Sequence, residues 1–538
     1  MEDSKKPSDV QITTLTYLNP SVLWQRQPKE MRLAFLSTLI IGFITHLFAF
    51  SNVLLNHDAA TSISTKNSHL DLGRWSLELF SSFSWVYQMP VVICFLSILA
   101  LAISAALTIR FLKIHSPTCI VLASAFMVVF PVIPCTFSFL YTADAYFFAA
   151  LLNISAACLA KGRYICWPFS ILCIAVSAGI YQSYVACVVG LLLFDCILAL
   201  LDHIPVKEVF MRGIRYILII LMGLILYWVI LQAVLRINGM TVMPALQANY
   251  RGGTTALNNG VMGHLLAIPE AFRTFMRFLW SPSYLTSMFK LLQRVMFFLA
   301  TCSALFLLVV RRIYKEPIRL LLLICGAFML PVALNIFQVI LSGTYMDMLM
   351  QYSYVFAFVF AIKCFEMTAE EIFPSWETHR FPKYLQHGMT LVSLLLCAVL
   401  VWSNICLCNL CYLGLFETYE ESYAVGIRLI DRLETTEGYV PGVTPILFAG
   451  NYCPMLTGYP WIQEMRGINE SILNSYSGPM YLYWYLGMNW KWINWDFLDP
   501  SYADKRAEIE SSGILETIPA FPHKDCIQWY DDIIIIKL

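Results

Sequence analysis

"VYQMPVVICFLSILALAISAALTIRFLKIH", residues 86–115, carries the reading of the fold. No Asp, Glu, Lys or Arg occurs from Val86 to Ile109, and the run then closes on Arg110, Lys113 and His115. A helix rises about 1.5 Å per residue, so some 20 apolar residues cross the roughly 30 Å hydrocarbon core of a bilayer. The same pattern recurs along the chain. Apolar stretches of spanning length begin near Leu33, Val86, Thr118, Ala145, Tyr164, Tyr184, Ile214, Leu291, Leu320, Met350 and Met389. This predicts an all-α polytopic membrane bundle of about eleven transmembrane helices. Breaks are expected at "PCTFSFLYTADAY" (134–146) and "GIYQSY" (179–184), and the span from Met350 to Phe365 is short.

Composition agrees. Of 538 residues, 59% are hydrophobic and only 13% charged, against roughly 25% charged in soluble domains. The net charge of zero gives no basis for a nucleic-acid partner. The first 31 residues are polar, too long and wrongly ordered for a signal peptide. Seventeen cysteines lie mostly inside apolar runs, where thiols act as small packing groups. The cluster Cys406–Cys411 lacks a recognisable metal-ligand spacing.

Basic segments set the orientation, because loops on the cytoplasmic side are enriched in Lys and Arg. They are the N-terminal segment (Lys5, Lys6, Arg26, Lys29, Arg32), then residues 110–115, 161–163, 206–215, 311–319 and Lys363 to Lys383. They fall on alternate loops. The expected arrangement is a cytoplasmic N-terminal segment (1–32), a transmembrane domain (33–411) and an extracytoplasmic C-terminal domain (412–538). The loops 55–85, 135–145, 180–184, 236–288 and 342–349 then face outside.

The last segment differs in kind. "ETYEESYAVGIRLIDRLETT" (417–436) reads as an amphipathic helix, and "TPILFAG" (444–450) and "DDIIIIKL" (531–538) read as strands. Aromatics crowd residues 481–495. A small extracytoplasmic α/β domain near the membrane surface follows. It contains Cys453 and Cys526; an oxidising compartment permits a bridge, but their spacing does not establish one.

The densest early cluster of ionisable groups is "NHDAATSISTKNSHLDLGRW" (56–75), just past the first span. Asp58, at the hydrocarbon boundary, is expected to be partly desolvated, which raises a carboxyl pKa and makes a better base. Beyond a polar linker, Leu72, Trp75, Leu79 and Phe83 step by three and four, with Asp71, Arg74 and Glu78 opposite. That spacing predicts a helix lying in the interface with Trp75 as its anchor. For Arg74 and Glu78 taken alone, a solvated helix face is the simpler reading. Other outward loops supply Asp144 between Tyr141 and Tyr146, then Tyr181 and Gln182, Arg251 and Asp347. Arg251 either neutralises a phosphate or is a solvated loop arginine. Its "YRGG" setting lacks the GK[ST] of a P-loop, and HExxH, HxxEH and GxSxG are absent.

The order of a basic N-terminus, a first span ending in "NHD", then "GRW", "YTADAYFFAALL" and "AGIYQSYVACVVGLLLFD" resembles the bacterial membrane glucosyltransferase-domain family that includes the serotype-converting O-antigen glucosyltransferases. The resemblance covers roughly residues 30–370. It implies a GT-C type fold that takes a sugar from a polyprenyl-phosphate donor at the outer face and passes it to a cell-surface glycan. It also implies a carboxylate base in the first outer loop. That role falls to Asp58, with Asp71 second. Relatives carry a second acid beside the first; here its neighbours are His57 and Ala59, so His57, Asp71 or Asp144 would fill the role. Arg74 and Arg251 are the candidate cations for the leaving phosphate, and Trp75, Tyr146, Tyr181 and Gln182 are candidate substrate-binding residues. No cofactor is demanded, although outer acids permit Mg²⁺ or Mn²⁺ held through waters.

Two other readings share the topology. A flippase for polyprenyl-linked sugars would show paired hydropathy halves and mid-membrane ionisable groups, whereas the acids here cluster at outer lips. An O-antigen polymerase or ligase would lean on outer-loop arginines such as Arg251 rather than on Asp58.

Overall fold

Proline starts the helices. Pro90, Pro117 and Pro317 each occupy the first turn of a long apolar helix, where the missing N–H has no partner to lose and φ is already helical. The computed structural model describes residues 19–61, 69–84, 87–240, 260–341, 346–372, 383–452, 461–462, 465, 467–468, 470–494 and 500–538. Among them, ten helices are long and apolar enough to cross a membrane. The chain is a multi-pass helical bundle with a small sheet at its C-terminal end.

In chain order the helices are α1 (Lys29–Ser51), α2 (His57–Thr61), α3 (Leu77–Ser81), α4 (Pro90–Leu112), α5 (Pro117–Val129), α6 (Val132–Ser138) and α7 (Leu140–Lys161). They continue as α8 (Trp167–Ile180), α9 (Val185–Leu201), α10 (Val206–Ile237), α11 (Gly260–Trp280), α12 (Ser287–Val310), α13 (Pro317–Leu334), α14 (Val355–Ile372) and α15 (Lys383–Glu434). Each of the eleven expected spans meets a helix, but the one beginning at Tyr164 stops at Ile180 and is too short to count with the ten. It ends because Tyr181 is extended (φ −157°, ψ 113°). The region after Thr118 divides into two spans at Phe139, inside the expected 134–146, and the first of them is interrupted once more. Phe130 precedes Pro131 and is held extended (ψ 143°), so α5 stops at Val129.

α5 runs through the centre, buried from Leu122 to Val129. α10 and α12 lie outside and expose Leu218, Met222, Trp228 and Phe298. Outward apolar side chains suit a surface that faces lipid rather than water. The basic segments gather at the end of the bundle away from the C-terminal domain, where Lys161 meets Asp195 at 2.6 Å, Arg311 meets Asp202 at 2.7 Å and Lys363 meets Glu366 at 2.8 Å.

Two expectations change. The stretch 236–288 is not all loop: α11 packs Ala267, Ala271, Phe275 and Phe278 inward. Residue 412 falls inside a helix, since α15, 52 residues long in all, runs from the last span into the C-terminal domain. Its Val425, Leu429 and Leu433 join the buried core there.

That core is built on a four-stranded sheet, β1 (Pro445–Ala449), β2 (Lys491–Trp492), β3 (Ile527–Tyr530) and β4 (Ile533–Lys537), in the order β2-β1-β4-β3. β1 is parallel to β2 and β4, and β3 and β4 form an antiparallel hairpin. Successive strand residues point to opposite faces. Ile446, Phe448, Ile534 and Ile536 face one cluster, and Leu447, Ala449, Ile533 and Ile535 face another. Both faces are covered, which is why the two runs are continuously apolar. The first cluster also holds Leu55, Ala59, Ala60 and Tyr141 from the bundle.

Candidate active site

The chain leaving α1 is capped at once. Asn56, fully buried, accepts the Ala59 N–H at its Oδ1 (2.7 Å) and so starts α2. Ala59 and Ala60 are fully buried against the C-terminal domain, and Gln88 Nε2 donates to the Ala59 carbonyl (2.6 Å). This fixes His57 and Asp58 in a single helical turn. His57 Nε2 lies 3.3 Å from Asp58 Oδ1, and its Nδ1 lies 2.7 Å from Glu470 Oε2. These contacts are ion pairs only when the ring is protonated. The Asp58 side chain keeps 34% of its surface exposed, so it is half-buried and reachable.

A second group forms around Arg74. Its guanidinium lies 4.5 Å over the Tyr181 ring, and Nη1 donates to Tyr146 Oη (3.1 Å). Tyr146 and Tyr181 stack with centroids 4.6 Å apart. Gln182 Nε2 donates to the Leu72 carbonyl (2.9 Å) and to Tyr227 Oη (3.1 Å), and Tyr227 donates to the Gly73 carbonyl (3.0 Å). The break at Tyr181 is what turns Tyr181 and Gln182 toward the loop. His69 stands nearby; burial, then the Arg74 guanidinium, push its pKa down to about 4. Its ring is therefore neutral at pH 7 and adds no second cation.

The expected interfacial helix is not continuous. Leu70–Leu72 is a single 3₁₀ turn, Gly73 is left-handed (φ +77°), and α3 begins only at Leu77. The buried face is Leu77, Ser81 and Ser84, while Leu79 and Phe83 are exposed. Trp75 packs inward, not outward as an anchor. Ser76 N–H donates to the Gly179 carbonyl (3.0 Å) and Ser76 Oγ to that of Val176 (2.8 Å), drawing Trp75 onto α8. A Cβ at Gly179 would stand 2.5 Å from Trp75 Cε2. Gly179→Ala should thus lower the thermal midpoint of the purified protein, by overpacking worth about 1–3 kcal/mol. Adding Trp75→Ala should recover most of that loss in a double-mutant cycle.

Tyr141 joins the two groups. It is buried and within electrostatic reach of Asp58, Tyr146, Arg74 and Tyr476. Of the sequence candidates, His57, Asp58, Arg74, Trp75, Tyr146, Tyr181 and Gln182 thus surround one end of the bundle under the C-terminal domain. Asp144 is packed inside the bundle. It is 1% exposed, accepts the Ala145 N–H at Oδ1 (2.8 Å), and has Ser84 and Cys94 as neighbours. Asp71 sits in the 3₁₀ turn, its side chain outside what is described, and Arg251 and Cys453 lie outside the described residues. Sequence reasoning missed Glu470 and Tyr227. The one signal for Glu470 was the lack of a second acid beside Asp58. No group of three or more His, Cys, Asp or Glu able to hold a metal occurs among the described residues.

A family model described as Glucosyl transferase GtrII matches residues 47–361, more than half of the chain. The match contains Asp58, Arg74, Tyr141 and Tyr181 and stops short of Glu470. No curated protein and no solved structure matches the chain.

Proposed function

The chain belongs to the glucosyl transferase GtrII family, and from that premise we propose that it moves glucose from a polyprenyl-phosphate donor to a cell-surface glycan such as O-antigen. The work is done by a GT-C type bundle at the outer face of the bacterial cytoplasmic membrane, with the N-terminus inside and the C-terminal domain outside. The observation that supports this reading is the meeting at Tyr141 of a carboxylate pair bridged by His57 and a guanidinium caged by two tyrosines.

In the proposed reaction the acceptor hydroxyl gives its proton to Asp58 while its oxygen bonds to the anomeric carbon. The bond from that carbon to the lipid phosphate breaks, and the phosphate leaves with the electron pair. Arg74 offsets the charge developing on it. Displacement inverts the centre, so a β-linked donor yields an α-linked product. Tyr146 and Tyr181 hold Arg74 in place, and Tyr181 offers a ring face to a sugar or isoprenoid unit. His57, set by Glu470, fixes the orientation of the Asp58 carboxylate.

The test uses purified full-length protein in detergent, polyprenyl-phosphate-glucose and an O-antigen acceptor. Glucosylated glycan and free polyprenyl phosphate are expected. No turnover in detergent, with transport of the lipid-linked sugar in vesicles, would establish the flippase reading instead. Glu470 is a positioning residue in this scheme. Glu470→Gln should lower kcat about tenfold, the loss of one charge-assisted contact of roughly 1.5 kcal/mol, with KM little changed, and Glu470→Asp should recover part of it.

A further inference from the structure

A second site stands at the opposite end of the bundle. α8 and α10 diverge there and leave a groove of about 750 Å³. Its walls are apolar: Trp167 and Ile171 on one side, Met211, Leu218 and Met222 on the other. Met211, Leu218 and Met222 are each more than half exposed, so they face the region a bilayer occupies. At the head of the groove stand three cations, Lys161, Arg212 and Arg215, and one carboxylate, Glu208, which Arg212 holds at 2.9 Å.

Two of these are answered within the protein. Lys161 lies 2.6 Å from Asp195, and Arg212 bridges Asp195 (3.2 Å) and Glu208 (2.9 Å). Arg215 differs. It makes no ion pair with a carboxylate among the described residues. Its guanidinium rests 5.4 Å over the Trp167 ring and 5.0 Å over that of Tyr216, and its buried Nε has no hydrogen-bond partner. A buried donor without a hydrogen-bond partner and a charge without a carboxylate thus sit at the head of the apolar groove. A planar guanidinium matches the oxygens of a phosphodiester, which accept from its fork of donors.

We propose that this groove binds an anionic glycerophospholipid, with its phosphate on Arg215 and one acyl chain along Met211, Leu218 and Met222. Charge complementarity selects this occupant. A zwitterionic lipid would bring its own cation toward Lys161 and Arg212, and a free phosphate would leave the apolar walls uncovered. The site is independent of the transfer chemistry and lies in the basic segments 161–163 and 206–215, which the candidate active site does not use.

The test is native mass spectrometry of the full-length protein, exchanged into mixed micelles containing either phosphatidylglycerol or phosphatidylcholine. One phosphatidylglycerol should be retained per chain at least tenfold in preference to phosphatidylcholine. Arg215→Gln should abolish that preference, and Arg215→Lys should restore only part. Leu218→Trp, at a lipid-exposed position and without change of charge, should block retention by filling the groove. Equal retention of the two lipids, undiminished retention in both Arg215→Gln and Leu218→Trp, or full displacement by millimolar inorganic phosphate would each overturn the proposal.

Discussion

Asp58→Asn should reduce glucosyl transfer by about 10²–10⁴-fold, the range a positioned general base contributes. Expression and membrane insertion should persist. The substitution keeps the shape of the side chain, and the packing of this turn rests on neighbours: the Asn56 cap, and Ala59 and Ala60 buried against the C-terminal domain. The amide has no lone pair basic enough to take a proton from a sugar hydroxyl. Asp58→Glu retains the carboxylate but moves it by one methylene and should recover only a fraction. The measurement is initial rate in detergent, normalised to folded protein by size-exclusion chromatography. Wild-type transfer by Asp58→Asn would remove Asp58 from the chemistry and favour the polymerase or ligase reading, in which outer-loop arginines carry the function.

Arg74→Gln should cost about 10²–10³-fold in kcat, the scale seen when a preorganised donor to a developing anion is lost. The loss arises because the lipid phosphate departs without a nearby cation. Arg74→Lys should recover little, although it keeps the charge. An ammonium has no planar face to lie over Tyr181, and it cannot reproduce the guanidinium geometry toward Tyr146. Removal of the ring in Tyr181→Leu should therefore resemble a partial Arg74 loss. If Arg74→Gln leaves kcat intact while raising only the KM for donor, Arg74 holds the ground-state donor and does not act on the transition state.

These effects trace to features of unequal visibility in the sequence. The helices were legible because each apolar run is long and closes on basic residues, and ten of the eleven expected spans have full spanning length. Strands β1 and β4 were legible from "TPILFAG" and "DDIIIIKL", since covering both faces of a sheet demands uninterrupted apolar residues. The loop helix from Leu72 to Phe83 was misread. Its period-three and period-four spacing is real, but Gly73 in a left-handed turn interrupts the backbone. Outside water, moreover, exposed Leu79 and Phe83 are no sign of a buried face. The long loop 236–288 concealed α11 because Pro269 lies inside it and its first buried positions, Gly263, Ala267 and Ala271, are small, leaving the large ones, Phe275, Phe278 and Leu279, to its last turns.

The apolar runs determined the multi-pass bundle, and the order of motifs determined the family and the candidacy of Asp58, because each of these is written in local hydropathy or a short contiguous string. Only the tertiary structure brought Glu470 to His57 across more than 400 residues of chain, laid Arg74 over Tyr181, and buried Asp144 beside Ser84 and Cys94. The physical reason is that charges act over a few ångströms of space. Separation along the chain says little about that distance until helices cross, a helix breaks at Tyr181, and a distant domain closes over the loop.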